Sequence, residues 1–600
     1  MPIDPAAPGD PASQPLLLLT APDESRPFDA WLDEALLTEG YHLRRHRAAD
    51  AGITTADLAG HALVIISAGA AARIDCGAVE GYLTAGGRAV IVQPPREWGP
   101  LFGLRPRTET YATVADGYLQ VNAQHRWLAG FPTLDLQCPG EAHIYESEAA
   151  EPLAFIAGQL GCPTPFPAIA LSRVGAGLAV VLTWDLADCL VTLQQGRIAN
   201  ASNGPNPDAD RNGKFTAEDL FVGLRDWRLR EVPQADVLRD LLVRIIVALT
   251  GDLMPLPRLW HFPHAAPALA LLDGDGDGMD RADLLWTAET CERHGARFSF
   301  YLMQEQIEAF SAAEVGELRR RGHGFGPHPW VCIKPSISQW RAEIGRITAG
   351  FREKLGFAPT CLRAHSVIFP GWDETPRILA DHGLRLDTSF INGYLCREGY
   401  LNGSALPVRF IGRDGRLINC REQSTIHGDD TLWSTKCMLP SYSEAERMEL
   451  SLRLMRELAE VHHGVYHPYF HPICLGARGS INTADWFQSV LGAAGDLGLP
   501  MPSADDWLAF NDARDAVAIE QMRWDSSRAT LSFALRAPAA IAGLTVLLPP
   551  YMQRAPRRAT VDAEPVDLRP VGFERLGWTA LVLDLAAGDA ALSASYPPAT

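Results

Sequence analysis

From Ala266 to about residue 512, short apolar runs and amphipathic segments take strict turns, and this alternation constrains the chain more than any single motif. Ala266–Leu272 and Arg297–Leu302 read as strands. Leu284–His294, Ala312–Arg321, Ile337–Leu355, Glu374–His382 and Glu444–His462 show helical spacing. Strands separated by helices pair in parallel, since each crossover needs about a dozen residues. A distorted, barrel-like (β/α) unit is the expected outcome, with its chemistry at the C-terminal ends of its strands. The Pro-rich joint from Met254 to His264 marks its start.

The flanking regions have different rhythms. Between about 14 and 255, the runs Leu16–Leu19, Leu63–Ile66, Arg88–Val92 and Leu178–Thr183 read as strands, with Leu190–Leu193 adding β character. The segments around Trp31 and Leu36, Val79–Leu83 and Ala235–Leu249 read as helices, which predicts an open parallel-sheet α/β domain. After about 512 the runs Ala529–Leu535, Leu544–Leu548, Ala559–Val561 and Thr579–Leu583 are short and bounded by Gly, Pro and Asp. They predict a small antiparallel β-sandwich. The fold class is α/β, with domains at 1–255, 256–512 and 513–600.

Composition narrows the partners. Lys+Arg 53 against Asp+Glu 72 leaves a net charge of -19, which disfavours nucleic-acid phosphate and anionic membrane surfaces. No apolar stretch reaches the roughly 18 residues of a membrane span. The N-terminal segment lacks a basic region ahead of its short Leu run, and the 11 cysteines form no Cys-x-x-Cys pair. Reduced thiols and a cytoplasmic location are the expectation. No Gly-x-Ser-x-Gly elbow or P-loop is present, which removes those hydrolase and nucleotidase classes.

Two acidic motifs stand out. Asp208, Asp210, Asn212, Gly213 and Asp219 fall at positions 1, 3, 5, 6 and 12 of an EF-hand-like loop, so a structural calcium site is expected there. The second motif, Asp273-Gly-Asp275-Gly-Asp277-Gly278, closes the first strand of the middle unit. Three carboxylates on a Gly-rich turn at a strand's C-terminal end call for a cation or for catalysis. Downstream, His323 and His328, then Arg363 and His365, then Asp387, then His471 each follow a successive strand, and their order would bring them to one mouth.

With these residues in view, about 265–510 resembles the polysaccharide deacetylase family, of the NodB-homology, carbohydrate esterase type. The resemblance implies Asp273 as base, Asp275 and His328 as metal ligands, Arg363 orienting the base, and His471 as general acid with Asp387 as its partner. The family's second ligand histidine falls on Cys332 here, so the remaining donor is Cys332, His365 or His323. Trp330 and Trp372 are candidates for stacking on a sugar ring, and His427-Gly-Asp429-Asp430 for substrate contact or a solvated turn. The implied activity is removal of acetyl groups, amide or ester, from a carbohydrate by a zinc-like divalent metal. A decayed carbohydrate-binding scaffold and a metal-free glycosidase with paired carboxylates are the alternatives. The segment LVIISAG…VEGYLTAGGRAVIV bears a weaker resemblance to amidotransferase-like, trehalose-utilisation-type domains, without their catalytic cysteine.

Overall fold

The computed structural model describes residues 14–108, 112–132, 134–202, 213–392, 398–433, 442–476 and 482–598. The chain is mixed α/β and sorts into two compact units. One comprises residues 1–191, 238–265 and 512–600, the other 192–237 and 266–511. The segment 192–237, expected with the N-terminal domain, thus belongs with the second unit. There the Phe215 N–H donates to the Ile333 carbonyl, and the Asp236 carboxylate accepts from the Ala405 N–H.

In the first unit a nine-stranded sheet has two halves. Arg44–Ala48, Leu16–Thr20, Leu63–Ile66, Arg88–Val92 and Gly177–Leu182 pair in parallel in that order. Four of these are apolar runs buried on both faces, as parallel strands flanked by helices require. Cys162–Val174, Glu151–Gln159, Thr113–Val121 and Asp135–His143 continue the sheet antiparallel. Leu190–Leu193 is not a strand but part of the helix Leu186–Gln195, because Asp185 accepts the amides of Ala187 and Asp188 and starts a helical turn.

The C-terminal segment forms antiparallel pairs in two sheets. Ala518–Asp525, Thr530–Ala537, Gly588–Ser595, Arg558–Val561 and Glu564–Val566 make one, and Ile541–Leu548 pairs with Thr579–Leu585 in the other. The Pro-rich joint is woven into the latter, where Arg258–Leu259 pairs with Leu547 and Val546. Arg258 is fully buried between the carboxylates of Glu39 and Glu574. Glu39, His261 and Glu574 present three donor atoms close enough for a cation. Arg258 and Arg239 already pair with the carboxylates of that cluster.

In the second unit Gly324–Pro327, Ser299–Leu302, Asp273–Asp275, Pro468–Phe470 and His427–Gly428 are parallel neighbours in that order. Cys361–Leu362, Leu386–Asp387 and Leu417–Glu422 form a second parallel run, with Val408–Ile411 antiparallel at its edge. Backbone bonds from Arg363 to Pro327 and from Thr425 to Phe390 connect the two runs. Helices Arg281–Arg293, Ala312–Arg320, Ile337–Gly350, Glu374–Asp381 and Glu444–Glu457 separate the strands. Those at Ser311, Ser336 and Ser443 start with reciprocal serine caps. Phe298, Phe300, Phe325, Phe470 and Phe487 fill the core.

Candidate active site

The glycines of the Asp-Gly-Asp-Gly-Asp run are dictated by packing. A Cβ on Gly274 would lie 2.5 Å from the Phe470 carbonyl, and one on Gly276 2.6 Å from that of Tyr301. With the alternate positions closed by neighbouring strands, period-two geometry sends the aspartates to one side. The same spacing aligns His467, Tyr469 and His471 along Pro468–Phe470, the strand next door.

Three donor atoms converge beyond these strand ends. Asp277 Oδ1 lies 3.2 Å from His365 Nδ1 and 3.4 Å from His328 Nε2, and the two ring nitrogens are 3.3 Å apart. A tetrahedral ion with bonds of about 2.0–2.1 Å sets its ligands about 3.3 Å apart, so these residues fit a zinc-like metal and leave one position open. His328 directs Nδ1 at the Arg363 carbonyl, 2.8 Å away, which leaves Nε2 to ligate. Burial alone would depress His328, but Asp275 and Asp277 raise it above its ordinary value. Burial alone would raise Asp277, and the hydrogen bonds with His328 and His365 instead hold its carboxyl well below the usual range.

Asp275 stands at the edge of this triangle. Its Oδ2 is 3.7 Å from His328 Nε2, and its Oδ1 is 3.3 Å from Arg363 Nε. Burial raises its pKa, with His328 and Arg363 opposing. Asp273 is closed off instead. It has no exposed surface, one oxygen accepts from Arg363 Nη2 at 2.6 Å, and the other meets His467 Nε2 at 2.8 Å. Burial would raise Asp273, but Arg363 and His467 more than offset it and leave the carboxyl below its ordinary range.

His471 faces the site from the neighbouring strand, its Nε2 4.0 Å from both Asp275 and Asp277. Asp429 grips it twice, at the backbone N–H and at Nδ1, each 2.7 Å away. Burial disfavours the charged ring, but Asp429 outweighs that and pushes His471 up to about 10.

The structure therefore brings together Asp275, His328, Arg363, His365 and His471, with Asp273 beneath them. It does not bring Asp387 to His471. Asp387 accepts from the Ser389 N–H and hydroxyl, and burial lifts it to about 6. Cys332 belongs to no group of converging metal donors among the described residues. Trp330 meets the His365 ring edge-on at 4.7 Å, with part of its surface open. Trp372 offers no face to a sugar, because it is fully buried and its indole N–H donates to the Gly196 carbonyl. Sequence reasoning passed over His467, Asp277 as a ligand and Asp429 as the partner of His471. The signal for the first two was alternate-residue spacing with His471 and with Asp275. In the expected calcium loop, Asp208, Asp210 and Asn212 lie outside the described residues. Asp219 accepts from the Thr216 N–H at 2.9 Å at the start of the turn Ala217–Phe221.

No family model matches the chain, and no curated protein matches it. Among solved structures the chain is similar to Agd3, a novel carbohydrate deacetylase, at 10% identity, over 98% of this chain and 100% of that one, with TM-score 0.43. It is similar to a Mycobacterium smegmatis protein assigned as a polysaccharide deacetylase, at 13% identity over 42% of this chain and 93% of that one, TM-score 0.33. A mutant of BA3943, a CE4 family pseudoenzyme with restored enzymatic activity, matches at 14% over 41% and 68%, TM-score 0.26. At such values the functional reading rests on the side chains themselves.

Proposed function

We propose that the second unit is a distorted (β/α) barrel that hydrolyses acetyl groups, amide or ester, on a carbohydrate, with a divalent metal at Asp277, His328 and His365. The observation that carries this reading is the triangle of donor atoms with edges of 3.2–3.4 Å. A metal held there supplies Lewis acidity toward the acetyl carbonyl and acidifies water.

The chain's own residues supply the proton transfers. Asp275, whose pKa burial raises, takes a proton from the attacking water while Arg363 keeps it aimed. His471, charged at neutral pH, gives its proton to the departing nitrogen or oxygen, and Asp429 holds the ring for the transfer. The hydroxyl of water ends on acetate and its proton on the amine or alcohol. Compared with the roles that sequence resemblance implies, base and carboxylate ligand each move two residues along, because Asp273 has both oxygens engaged and no exposure. Trp330 offers an apolar wall for a sugar ring.

The other assignments complete the proposal. The parallel sheet of the first unit is read as amidotransferase-like in architecture only, and the two antiparallel sheets after residue 512 as a small sandwich. Calcium is proposed for the Asp208–Asp219 loop. The deacetylase reading is tested by measuring metal content and acetate release from N- and O-acetylated oligosaccharides, for the full chain and for His328→Ala. Metal and acetate release lost together support it. A protein that takes up no metal at this site favours the scaffold reading.

A further inference from the structure

Two loops at the candidate site are joined by a segment from outside the stretch that resembles a deacetylase. The loop after Gly324–Pro327 carries His328 and Trp330 and runs on to Ile333. The loop after Cys361–Leu362 carries His365 and runs on to Phe369. They meet where the His365 N–H donates to the Pro329 carbonyl at 3.1 Å. Farther along, Phe215 lies between them. Its N–H donates to the Ile333 carbonyl at 2.9 Å, its carbonyl accepts from the Phe369 N–H at 2.7 Å, and Thr216 bridges to Ile368 in the antiparallel sense. All of these residues belong to the second unit.

The backbone that holds Phe215 is fixed from below. Phe369 is buried, with its ring 5.1 Å from that of Phe390 and 6.0 Å from that of Phe410. Between His365 and Ile368 the chain turns through Ser366 and Val367, with φ of 54° and 49°. Two successive residues with side chains, one of them β-branched, thus sit in the left-handed region. Strain of that kind persists only where the surroundings over-determine it, and it gathers at ligand clamps.

The rim so made is apolar where folding does not require it. Ile333 is 48% exposed, the most exposed large apolar side chain among the described residues, and Phe215 and Trp330 are half-buried. The Lys334 ammonium stands 5.7 Å from the centre of the Phe215 ring. Trp330 meets the His365 ring at 4.7 Å, so one end of the rim touches a donor of the metal triangle. Exposed apolar surface continuous with a site marks where a ligand is covered. A protein partner would need about 800 Å² on this side, more than three partly covered side chains offer. Pyranose rings joined through equatorial bonds present flat C–H faces, which suit aromatic and aliphatic side chains.

We propose that Phe215 and Ile333 form a second sugar position beside the metal triangle, which takes the ring adjoining the acetylated one and makes the site select a chain over a single sugar. The inference rests on the deacetylase reading, which sets the first sugar at Trp330 and the metal.

Isothermal titration of the full chain carrying Asp275→Asn, with its metal in place, tests it without turnover. The probes are N-acetylglucosamine and its β-1,4-linked tetramer. The tetramer should bind at least about tenfold more tightly than the single sugar, or about 1.4 kcal/mol. In the same background Phe215→Ala should remove that preference and Phe215→Tyr, which keeps a ring, should retain it. Ile333→Asp, at a position exposed enough to accept a charge, should weaken the tetramer more than the single sugar and keeps the test open if Phe215→Ala fails to fold. Equal affinity for the two probes, no binding of either, or a preference that survives both Phe215→Ala and Ile333→Asp would each overturn the proposal. Acetate release by the parent chain separates this proposal from the reading beneath it. Phe215-dependent tetramer binding without acetate release would leave the sugar position standing and remove the hydrolysis. Acetate released at equal kcat/KM from both probes would leave the hydrolysis standing and remove the sugar position.

Discussion

Replacing Asp273, Asp275 and Asp277 one at a time by Asn should give three different phenotypes, although the residues alternate along one short run. Asp273→Asn breaks a buried pair, leaving Arg363 with Asp275, 3.3 Å away, as its carboxylate contact among the described residues and setting an amide against donors on both sides. Breaking such a pair costs about 3–5 kcal/mol. At about 2–4 °C per kcal/mol for a unit of this size, the melting midpoint should fall by about 6–20 °C. Asp275→Asn removes a charge that burial already disfavours, so the midpoint should hold or rise while turnover disappears. Asp277→Asn should weaken metal binding more than about a hundredfold, because losing a ligand exceeds the loss seen for residues that only support one. Thermal melts, metal analysis and acetate release on the same preparations separate the three. An Asp273→Asn protein that melts like the parent, keeps its metal and has no turnover would refute the assignment and return the base role to Asp273.

Other outcomes follow from the same geometry. Cys332→Ser should retain the metal and His365→Ala should release it, as measured by metal analysis after dialysis; the opposite result would make the thiolate the third donor. Burial pushes His427 down to about 3, against an ordinary value of about 6.5. The unfolded chain therefore takes up a proton below about pH 6.5 that the folded chain refuses until about pH 3, and stability that is full above pH 6.5 falls on acidification by about 1.4 kcal/mol per pH unit from this group. Melts of His427→Gln from pH 7 to 4 should show a shallower decline than the parent, and parallel curves would exclude this group as the cause. Calcium at a hundredfold excess over its dissociation constant should stabilise the full chain by about 2.7 kcal/mol, and equal midpoints with calcium and with chelator would remove the Asp208–Asp219 site.

The alternating rhythm of the second unit was legible because amphipathic helices and apolar strands differ in period, and the serine caps at Ser311, Ser336 and Ser443 mark helix starts. The antiparallel half of the first sheet was not. Cys162–Val174 contains Pro-Thr-Pro-Phe-Pro. In the parallel half, Arg44–Ala48, at the sheet edge, has no apolar face to betray it. At the site, residue types and their order along the chain were readable, which assembled His328, Arg363, His365 and His471. Partner choice was not, because whether Asp387 or Asp429 meets His471 depends on where parallel strands end relative to each other. Register of that kind leaves no trace in local composition.

The pairing of Arg258–Leu259 with Ile541–Leu548 also has a consequence for the order in which the chain can fold during synthesis. Glu39 and Arg258 leave the ribosome long before Glu574, their third partner, and before the strand that covers residue 259. At about 5–20 residues per second, the roughly 280 residues between 259 and 541 take about 14 to 56 s to make. All of the contiguous stretch 266–511 emerges in that interval, so the second unit has its sequence complete while the first still lacks strands. During that time Arg258 and Glu39 lack Glu574 and the sheet around Ile541–Leu548 cannot form, although all nine strands of the N-terminal sheet, between Leu16 and Leu182, are already made. Slowing translation should lengthen the life of this intermediate. Chaperone dependence should then track the time taken to reach residue 541, more than the stability of the finished fold.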